Sequence, residues 1–392
     1  MDELLRHGQG REHRVEEPVA AVRKHPMDLP FLLLVLLLLT VGVIMVLSAS
    51  FASAYFDLGR VTGGNPTFYF LRQAVFAISG VLLMLVVSRF PSSFYQGIAL
   101  PLMLVSFVLL LAVPVIGVAG GGAQRWINLG FTTFQPSEIA KPAIVLLFAH
   151  MICIYKDKMK TFRWGVLPFV VVMAPLAGLL LLQPHLSAAV IILAVGACMM
   201  FLGGTRLGWF VGGFGALAAA ATVVLSQFGH ASARIVAWRN PFDDPLGAGW
   251  QIIQSLYAIG SGGALGLGLG QSRQKYLYLP EEHNDYIFAI VAEELGFVGV
   301  VMILSLFAML VIRGYWIALH ARTKFATLAA AGMSSLLAIQ VFLNVGVVTN
   351  LLPSTGISLP FFSYGGTALW FQLICMGVIL SVSREIPVKK AG

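Results

Sequence analysis

Charged residues are scarce in this sequence, since Asp, Glu, Lys and Arg make up only 11% of its 392 residues. Soluble globular proteins are about 25% charged. Hydrophobic residues reach 58%, and the mean hydropathy is +0.87. A soluble domain could not bury this much apolar surface, because polar groups must cover its exterior. The composition therefore excludes a soluble globular fold and predicts an all-α polytopic membrane protein.

Cysteine is also rare. The three cysteines, Cys153, Cys198 and Cys375, all lie in apolar runs without a pairing motif, which argues against a disulfide framework and against a zinc site. The sequence also lacks internal repeats, low-complexity linkers and a separate soluble domain. We therefore expect a single membrane domain, 29–384, between short tails at 1–28 and 385–392.

Long hydrophobic runs cover most of the chain. About 20 apolar residues cross a bilayer, and ten windows meet that requirement: 29–51, 70–88, 94–118, 138–155, 165–183, 186–202, 208–227, 285–312, 325–348 and 360–383. Only three residues, 183–185, separate the fifth window from the sixth, which predicts a tight helical hairpin. The polar prefix is too long and too acidic for a cleavable signal peptide, so the first span is interpreted as a retained signal anchor.

Lysine and arginine are distributed unevenly between the two sides of the predicted bundle. With ten spans both termini lie on one side, and most of the 25 lysines and arginines fall there. Basic residues favour the cytoplasmic side, so we expect both termini in the cytoplasm. The net charge of +8 then reflects this asymmetry and gives no reason to expect nucleic-acid binding. The outer side carries the loop 119–137 and a large extracytoplasmic loop, 228–284, and loops of that length are usually functional.

A polar and aromatic cluster, 274–285, leads into the eighth span. Helix capping accounts for Glu281 and Glu282, because Pro280 precedes them and acids favour a helix N-terminus. It accounts poorly for Asp285, which lies where the apolar helix begins. A carboxylate at that depth is costly unless it faces a polar cavity. We therefore expect Asp285 to be functional, and desolvation to raise its pKa above about 3.9.

Two further acids, Glu293 and Glu294, follow on the same predicted helix. On an ideal helix Glu293 lies about 80° around from Asp285 and about 12 Å deeper, whereas Glu294 lies about 180° around. Glu293 is therefore expected to face the same interior. A buried pair with interhelical hydrogen bonds explains both acids without a substrate, and it is the favoured interpretation.

The first outer loop contains Arg125 and Trp126. Anchoring at the membrane interface explains this pair, and a ligand contact explains it equally well. Ser137 is predicted to cap the fourth span, with Glu138 and Lys141 forming a local ion pair on one face. That pair needs no substrate, but its presence inside an apolar helix remains unexplained by local structure alone.

The long outer loop carries Arg234, Arg239 and Lys275 together with a glycine-rich run, 260–270. Cations beside exposed backbone N–H groups form anion-binding concavities, whereas re-entrant packing is the alternative for the glycines. A dinucleotide site is excluded because the glycines lack a βαβ context.

The final loop, 350–366, combines Pro, Gly and hydroxyl residues, including Ser363, at membrane depth. This predicts a broken helix that lines a cavity, which suits a lipid-linked substrate or a transport path.

Together these segments resemble the SEDS family (shape, elongation, division and sporulation). The matching motifs are Arg125-Trp126, Gln135-Pro136-Ser137-Glu138 with Lys141, Asn240-Pro241 with Asp244-Pro245, Gly249-Trp250-Gln251, Leu279-Pro280-Glu281 through Asp285, Glu293-Glu294, and Leu359-Pro360 through Gly366. The resemblance covers essentially all of 29–384 and is closer to the FtsW and sporulation branch than to RodA. One departure is Asn284, where the family commonly has Thr.

The resemblance implies peptidoglycan glycosyltransfer from lipid II, the undecaprenyl-diphosphate-linked disaccharide pentapeptide, at the outer face of the bacterial cytoplasmic membrane. It implies a class B penicillin-binding protein as partner, within a division or elongation complex among membrane lipids. It places the catalytic acid on Asp285, which would act as a base or as a ligand of Mg²⁺ or Mn²⁺. The candidate substrate-binding residues are Arg125, Trp126, Glu138, Lys141, Arg234, Arg239, Lys275, Glu281, His283 and Ser363.

Two other functions fit the sequence. A lipid II flippase would use the polar groups and helix breaks to line a path through both leaflets, but the charges concentrate at one face. A non-catalytic scaffold for a division partner would tolerate loss of the cations in the outer loops.

Overall fold

The computed structural model describes residues 26–57, 61–120, 123–130, 132–213, 215 and 235–387. Eight helical segments in these ranges are long and apolar enough to cross a membrane. They are α1 (Leu29–Phe56), α2 (Phe68–Val87), α3 (Ser92–Ile116), α4 (Pro136–Tyr155), α5 with α6 (Phe162–Gly165 and Leu167–Leu182), α9 (Ile287–Leu319), α10 (Lys324–Val348) and α11 (Gly366–Ser383). Two shorter helices are α7 (Leu186–Leu202) and α8 (Trp250–Gly262). The chain is therefore a polytopic membrane protein.

Helices occupy each predicted window except the seventh, 208–227, most of which lies outside the described residues. The largest difference at a helix start is in the last window, where α11 begins at Gly366 and the residues from 360 form turns. In the eighth window, α9 ends at Leu319, seven residues beyond the predicted end at 312.

The outer loop 119–137 contains a small antiparallel sheet, which corrects the all-α prediction. The strands are β1 (Val118–Gly120), β2 (Ala123–Asn128) and β3 (Thr133–Phe134), in the order β1-β2-β3. β-Branched and aromatic residues favour strands, and β2 places Arg125 and Trp126 on this sheet.

Central and peripheral helices differ in burial. Most of α4, α10 and α11 is buried in the bundle, whereas α2, α3 and α9 present apolar side chains such as Leu82, Leu104 and Met302 on the surface. Apolar surface of this kind suits contact with lipid, because a membrane helix need not hide it from water. The central helices thus carry the polar groups that the bundle must shield.

The longest helix, α9, is broken at Gly296, which has φ 65° and ψ −171°. The segment 263–268 fills the break from both sides. Leu267 and Gly268 donate hydrogen bonds to the carbonyls of Glu293 and Glu294 (both 3.0 Å). In the other direction, the amides of residues 297 and 298 donate to the carbonyls of residues 263 and 264 (2.9 and 3.0 Å). Two carbonyls and two amides at the break are therefore paired with this segment.

Close approach of two backbones makes this junction dependent on glycine. A Cβ on Gly262, in the last turn of α8, would lie 2.1 Å from the carbonyl oxygen of Ala292, whereas a Cβ on Gly260 would meet nothing within 4 Å. Gly262→Ala should therefore lower the free energy of unfolding by about 1–3 kcal/mol through overpacking. Gly260→Ala should be neutral or stabilise the helix by up to about 1 kcal/mol.

Thermal unfolding of the two purified variants in detergent checks this difference. Equal melting temperatures for Gly262→Ala and Gly260→Ala would show that α8 and α9 do not pack at this distance.

Candidate active site

A polar cavity of about 1240 Å³ lies among the residues that the sequence singled out. Its walls come from α2, β2, the start of α4, the start of α7 with the turn before it, one residue of α10, residues 281 and 284–286, the segment 354–358, and the start of α11. Six of the predicted site residues that the structure describes line it: Arg125, Trp126, Glu138, Lys141, Glu281 and Asp285.

Asp285 lies two residues before the start of α9, and hydrogen bonds fix its backbone. Asn344 of α10 donates from Nδ2 to the carbonyl of Asp285 (2.8 Å) and to that of Ile357 (2.6 Å). Ser358 donates from Oγ to Oδ1 of the carboxylate (3.3 Å). Gly356 leaves room for the same group, since a Cβ there would stand 3.1 Å from Oδ2. The acid is thus positioned by α10 and by the segment 354–358.

The carboxyl group of Asp285 is half-buried, exposed only to the cavity. Desolvation raises its pKa to about 6, and the nearby Glu281 contributes in the same direction. The hydrogen bond from Ser358 and the charge of Arg125 lower the pKa and partly oppose this shift. A carboxylate with a pKa near neutral can accept a proton and release it again at ambient pH.

Two predicted site residues, Ser363 and His283, stabilise the segment that carries Asp285 without lining the cavity. Ser363 donates from Oγ to the carbonyl of Asn284 (2.7 Å) and accepts from the amide of Leu359 (2.7 Å). The ring of His283 packs against Tyr69 and Tyr364, with centroids 4.6 and 5.9 Å away. Neither Ser363 nor His283 belongs to the cavity wall, so the structure gives them a positioning role.

Three basic side chains line the cavity, Arg72 on α2, Arg125 on β2 and Lys141 on α4. Arg125 donates to the carbonyls of Gln183 (3.4 Å) and Pro184. Lys141 Nζ lies 2.7 Å from Glu138 Oε1, and both side chains are buried. This confirms the predicted local ion pair and places it on the cavity wall.

The predicted cap of α4 is wrong. The helix begins at Pro136, and Gln135 is the residue before it. Ser137 therefore lies inside the first turn, where its hydroxyl is buried and has no hydrogen-bond partner among the described residues. Proline at the first helical position takes the place that the serine would have needed.

Lys275 does not reach the cavity. Its side chain is 2% exposed, and Nζ lies 3.0 Å from Glu294 Oε1 and 2.6 Å from the carbonyl of Gly270. Glu294 also accepts from Ser48 Oγ (2.6 Å). The cation therefore neutralises a buried acid and does not contribute to an anion site.

Glu293 and Glu294 are both buried and both hold the segment 270–275. Glu293 accepts from the amides of residues 273 and 274 (3.0 and 3.3 Å), and Glu294 accepts from those of residues 270 and 272 (2.9 and 3.2 Å). The favoured buried pair is confirmed, with an outer-loop segment as its main partner. The expectation that Glu293 faces the same interior as Asp285 is wrong, because neither Glu293 nor Glu294 lines the cavity of Asp285. The helix α9 starts after Asp285, so no ideal helix connects the three acids.

Arg239 is exposed and lies outside the cavity wall, and Arg234 lies outside the described residues. Within the described ranges, no group of three or more His, Cys, Asp or Glu side chains is arranged to hold a metal ion.

His185 is a cavity residue that the sequence did not indicate. It immediately precedes α7 and lies 3.1 Å from Gln135, measured from Nε2 to Nε2. Burial and the charges of Arg125 and Lys141 lower the pKa of its imidazole to about 3. The signal in the sequence is a histidine beside a proline at a predicted helix start, and that pattern predicts only a turn.

The fold and the cavity define a polytopic membrane protein with a half-buried acid and basic side chains around one polar site. The chain belongs to the cell cycle protein family of FtsW, RodA and SpoVE, whose family model matches residues 29–387. It is 41% identical to the probable peptidoglycan glycosyltransferase FtsW of Trichlorobacter lovleyi over 92% of this chain and 93% of that protein. It is also 41% identical to stage V sporulation protein E of Bacillus subtilis, over 92% and 98% of the two chains.

Solved structures agree with this assignment. A chain from a peptidoglycan synthase complex that coordinates polymerization and crosslinking matches with a TM-score of 0.75 and 30% identity, covering 91% of this chain and 98% of that one. The rod shape determining protein RodA of Thermus thermophilus matches with a TM-score of 0.67 and 29% identity, covering 93% and 98%.

The burial of Lys275 predicts the effect of removing it. Lys275→Met leaves the Glu294 carboxylate buried without its cation and should lower the free energy of unfolding by about 3 kcal/mol or more. Arg273→Met, on the same segment with an exposed side chain, is the matched control and should change stability little. Thermal unfolding in detergent measures both. Unchanged stability of Lys275→Met, combined with weaker substrate binding, would favour the role in phosphate binding instead.

Proposed function

We propose that this protein is a peptidoglycan glycosyltransferase that polymerises lipid II into glycan strands. The observation that carries the proposal is the half-buried Asp285 on the wall of a cavity that also contains Arg125 and Lys141. The names of the relatives, which include peptidoglycan glycosyltransferase FtsW, support the same conclusion. The flippase alternative receives no support from these relatives.

Glycan extension needs a base for the acceptor and a site for the leaving group. The acceptor hydroxyl oxygen attacks the anomeric carbon of the donor sugar, and the bond from that carbon to the diphosphate oxygen breaks. Asp285 accepts the hydroxyl proton, and the lipid diphosphate leaves with the bonding electrons. Arg125 and the other donors of the cavity wall stabilise the departing negative charge.

The proposed setting is the bacterial cytoplasmic membrane, with ten spans, both termini in the cytoplasm and the cavity open to the outer face. The distribution of lysine and arginine supports this orientation. A class B penicillin-binding protein is the proposed partner, because a structural relative comes from a complex that couples polymerization with crosslinking. Division, elongation and sporulation are all compatible settings for this pair.

Asp285→Asn should abolish glycan polymerisation, because the amide keeps the shape of the carboxyl group but cannot accept a proton. The measurement is polymerisation of labelled lipid II by protein co-purified with its transpeptidase partner. Asp243→Asn, an exposed acid of the outer loop, is the matched control and should retain activity. Normal glycan from Asp285→Asn would exclude Asp285 as the base.

The pH dependence should follow the pKa of Asp285, with activity falling as the pH drops through about 6 and the base becomes protonated. Ser358→Ala removes a hydrogen bond to the charged form, so it should move the acid limb of the kcat profile to higher pH. Glu281→Gln removes a neighbouring negative charge and should move the limb to lower pH. Shifts of both variants in the same direction would contradict this assignment.

A further inference from the structure

The first turn of α7 faces the cavity with unpaired hydrogen-bond donors. Leu186, Ser187 and Ala188 all line the cavity wall. The first amides of a helix have no carbonyl four residues back within the helix, and no other described group accepts from these three. The preceding residue, His185, makes no capping hydrogen bond. This 17-residue helix therefore presents an uncapped, partially positive end to the cavity.

The ring of His185 adds a donor at the same place. Gln135 approaches Nε2 with its amide nitrogen, which can only donate, so Nε2 acts as the acceptor. The neutral ring then carries its proton on Nδ1, and Nδ1 is buried without a partner in the described part of the chain. The side chain is 7% exposed and lines the cavity. An N–H group left unpaired at such a position calls for an acceptor from a ligand.

A basic side chain, Arg125, lies beside this end of the helix. Arg125 donates hydrogen bonds to the carbonyls of residues 183 and 184. The charges of Arg125 and Lys141 both lower the pKa of the His185 imidazole. The charge of Arg125 also lowers the pKa of the Asp285 carboxyl group. The same cation therefore influences both the end of α7 and the acid. A group rich in acceptor oxygens and negative charge can accept from the amides of α7 and from Nδ1 of His185 at once.

We infer that the first turn of α7, with His185, binds the diphosphate of a polyprenyl-diphosphate substrate. The inference rests on the proposed function for its ligand class and adds the location of the leaving group. The diphosphate accepts from the backbone amides of α7 and from Nδ1 of His185, while Arg125 balances its charge. Asp285 lines the same cavity, where the acceptor sugar must be deprotonated.

Three variants test the site by direct binding. Leu186→Pro removes one amide donor at a helix position that tolerates proline, and His185→Phe removes the ring donor while keeping a planar side chain. Each should weaken undecaprenyl diphosphate binding by roughly tenfold. His185→Asn retains a neutral N–H donor and should stay within about threefold of the parent protein. Lys324→Pro makes the same backbone change at the first residue of α10, outside the cavity, and should have no effect on binding.

The probes are undecaprenyl diphosphate, undecaprenol and inorganic diphosphate, added to the full chain in detergent, with thermal stability measured for every variant. Undecaprenol should bind all variants equally, and inorganic diphosphate should compete with the lipid diphosphate only where the donors are intact. Equal affinity of all stable variants for undecaprenyl diphosphate would overturn the inference. It would not contradict the proposed function, which the polymerisation assay tests separately. The opposite result is a parent protein that fails to polymerise lipid II while the variants still lose affinity for undecaprenyl diphosphate. That result would refute the proposed function and support the anion site.

Discussion

The break in α9 at Gly296 is the constraint on which the segment from residue 263 to Asp285 depends. Two helix ends inside an apolar bundle would leave carbonyl and amide groups without partners, and lipid offers none. The segment 263–268 supplies those partners, and the carboxylates of Glu293 and Glu294 bind the amides of the next segment, 270–275. The long outer loop is therefore built into the helix bundle, and its last residues carry Asp285 to a defined position.

The general architecture and the place of Asp285 on a polar cavity could be predicted from the sequence for physical reasons. Hydropathy marks the spans, because the bilayer imposes a minimum apolar length. Asp285 stands out because a carboxylate at that depth needs a polar surrounding. The pair of Glu138 and Lys141 follows from their spacing, since side chains three residues apart are neighbours on a helix.

The failures of prediction also have a physical cause, because each depends on contacts between distant parts of the chain. The role of Lys275 is decided by Glu294, 19 residues further on, and by a helix break that hydropathy does not reveal. The strands of the first outer loop are short and form only against each other. His185 becomes a site residue only because the turn before α7 packs beside Arg125.

The position of the polar groups along α10 favours chemistry at one face over transport through the bundle. Gln340 lines the cavity, and Asn344 holds the backbone of Asp285. Leu337 and Leu336, about one turn further from the cavity, and Met333, about two turns further, are buried. These apolar side chains cannot replace the water that solvates a diphosphate, so this face of α10 does not favour the passage of a charged headgroup. The proposed acid and the proposed anion site line the same cavity, which suits glycosyl transfer.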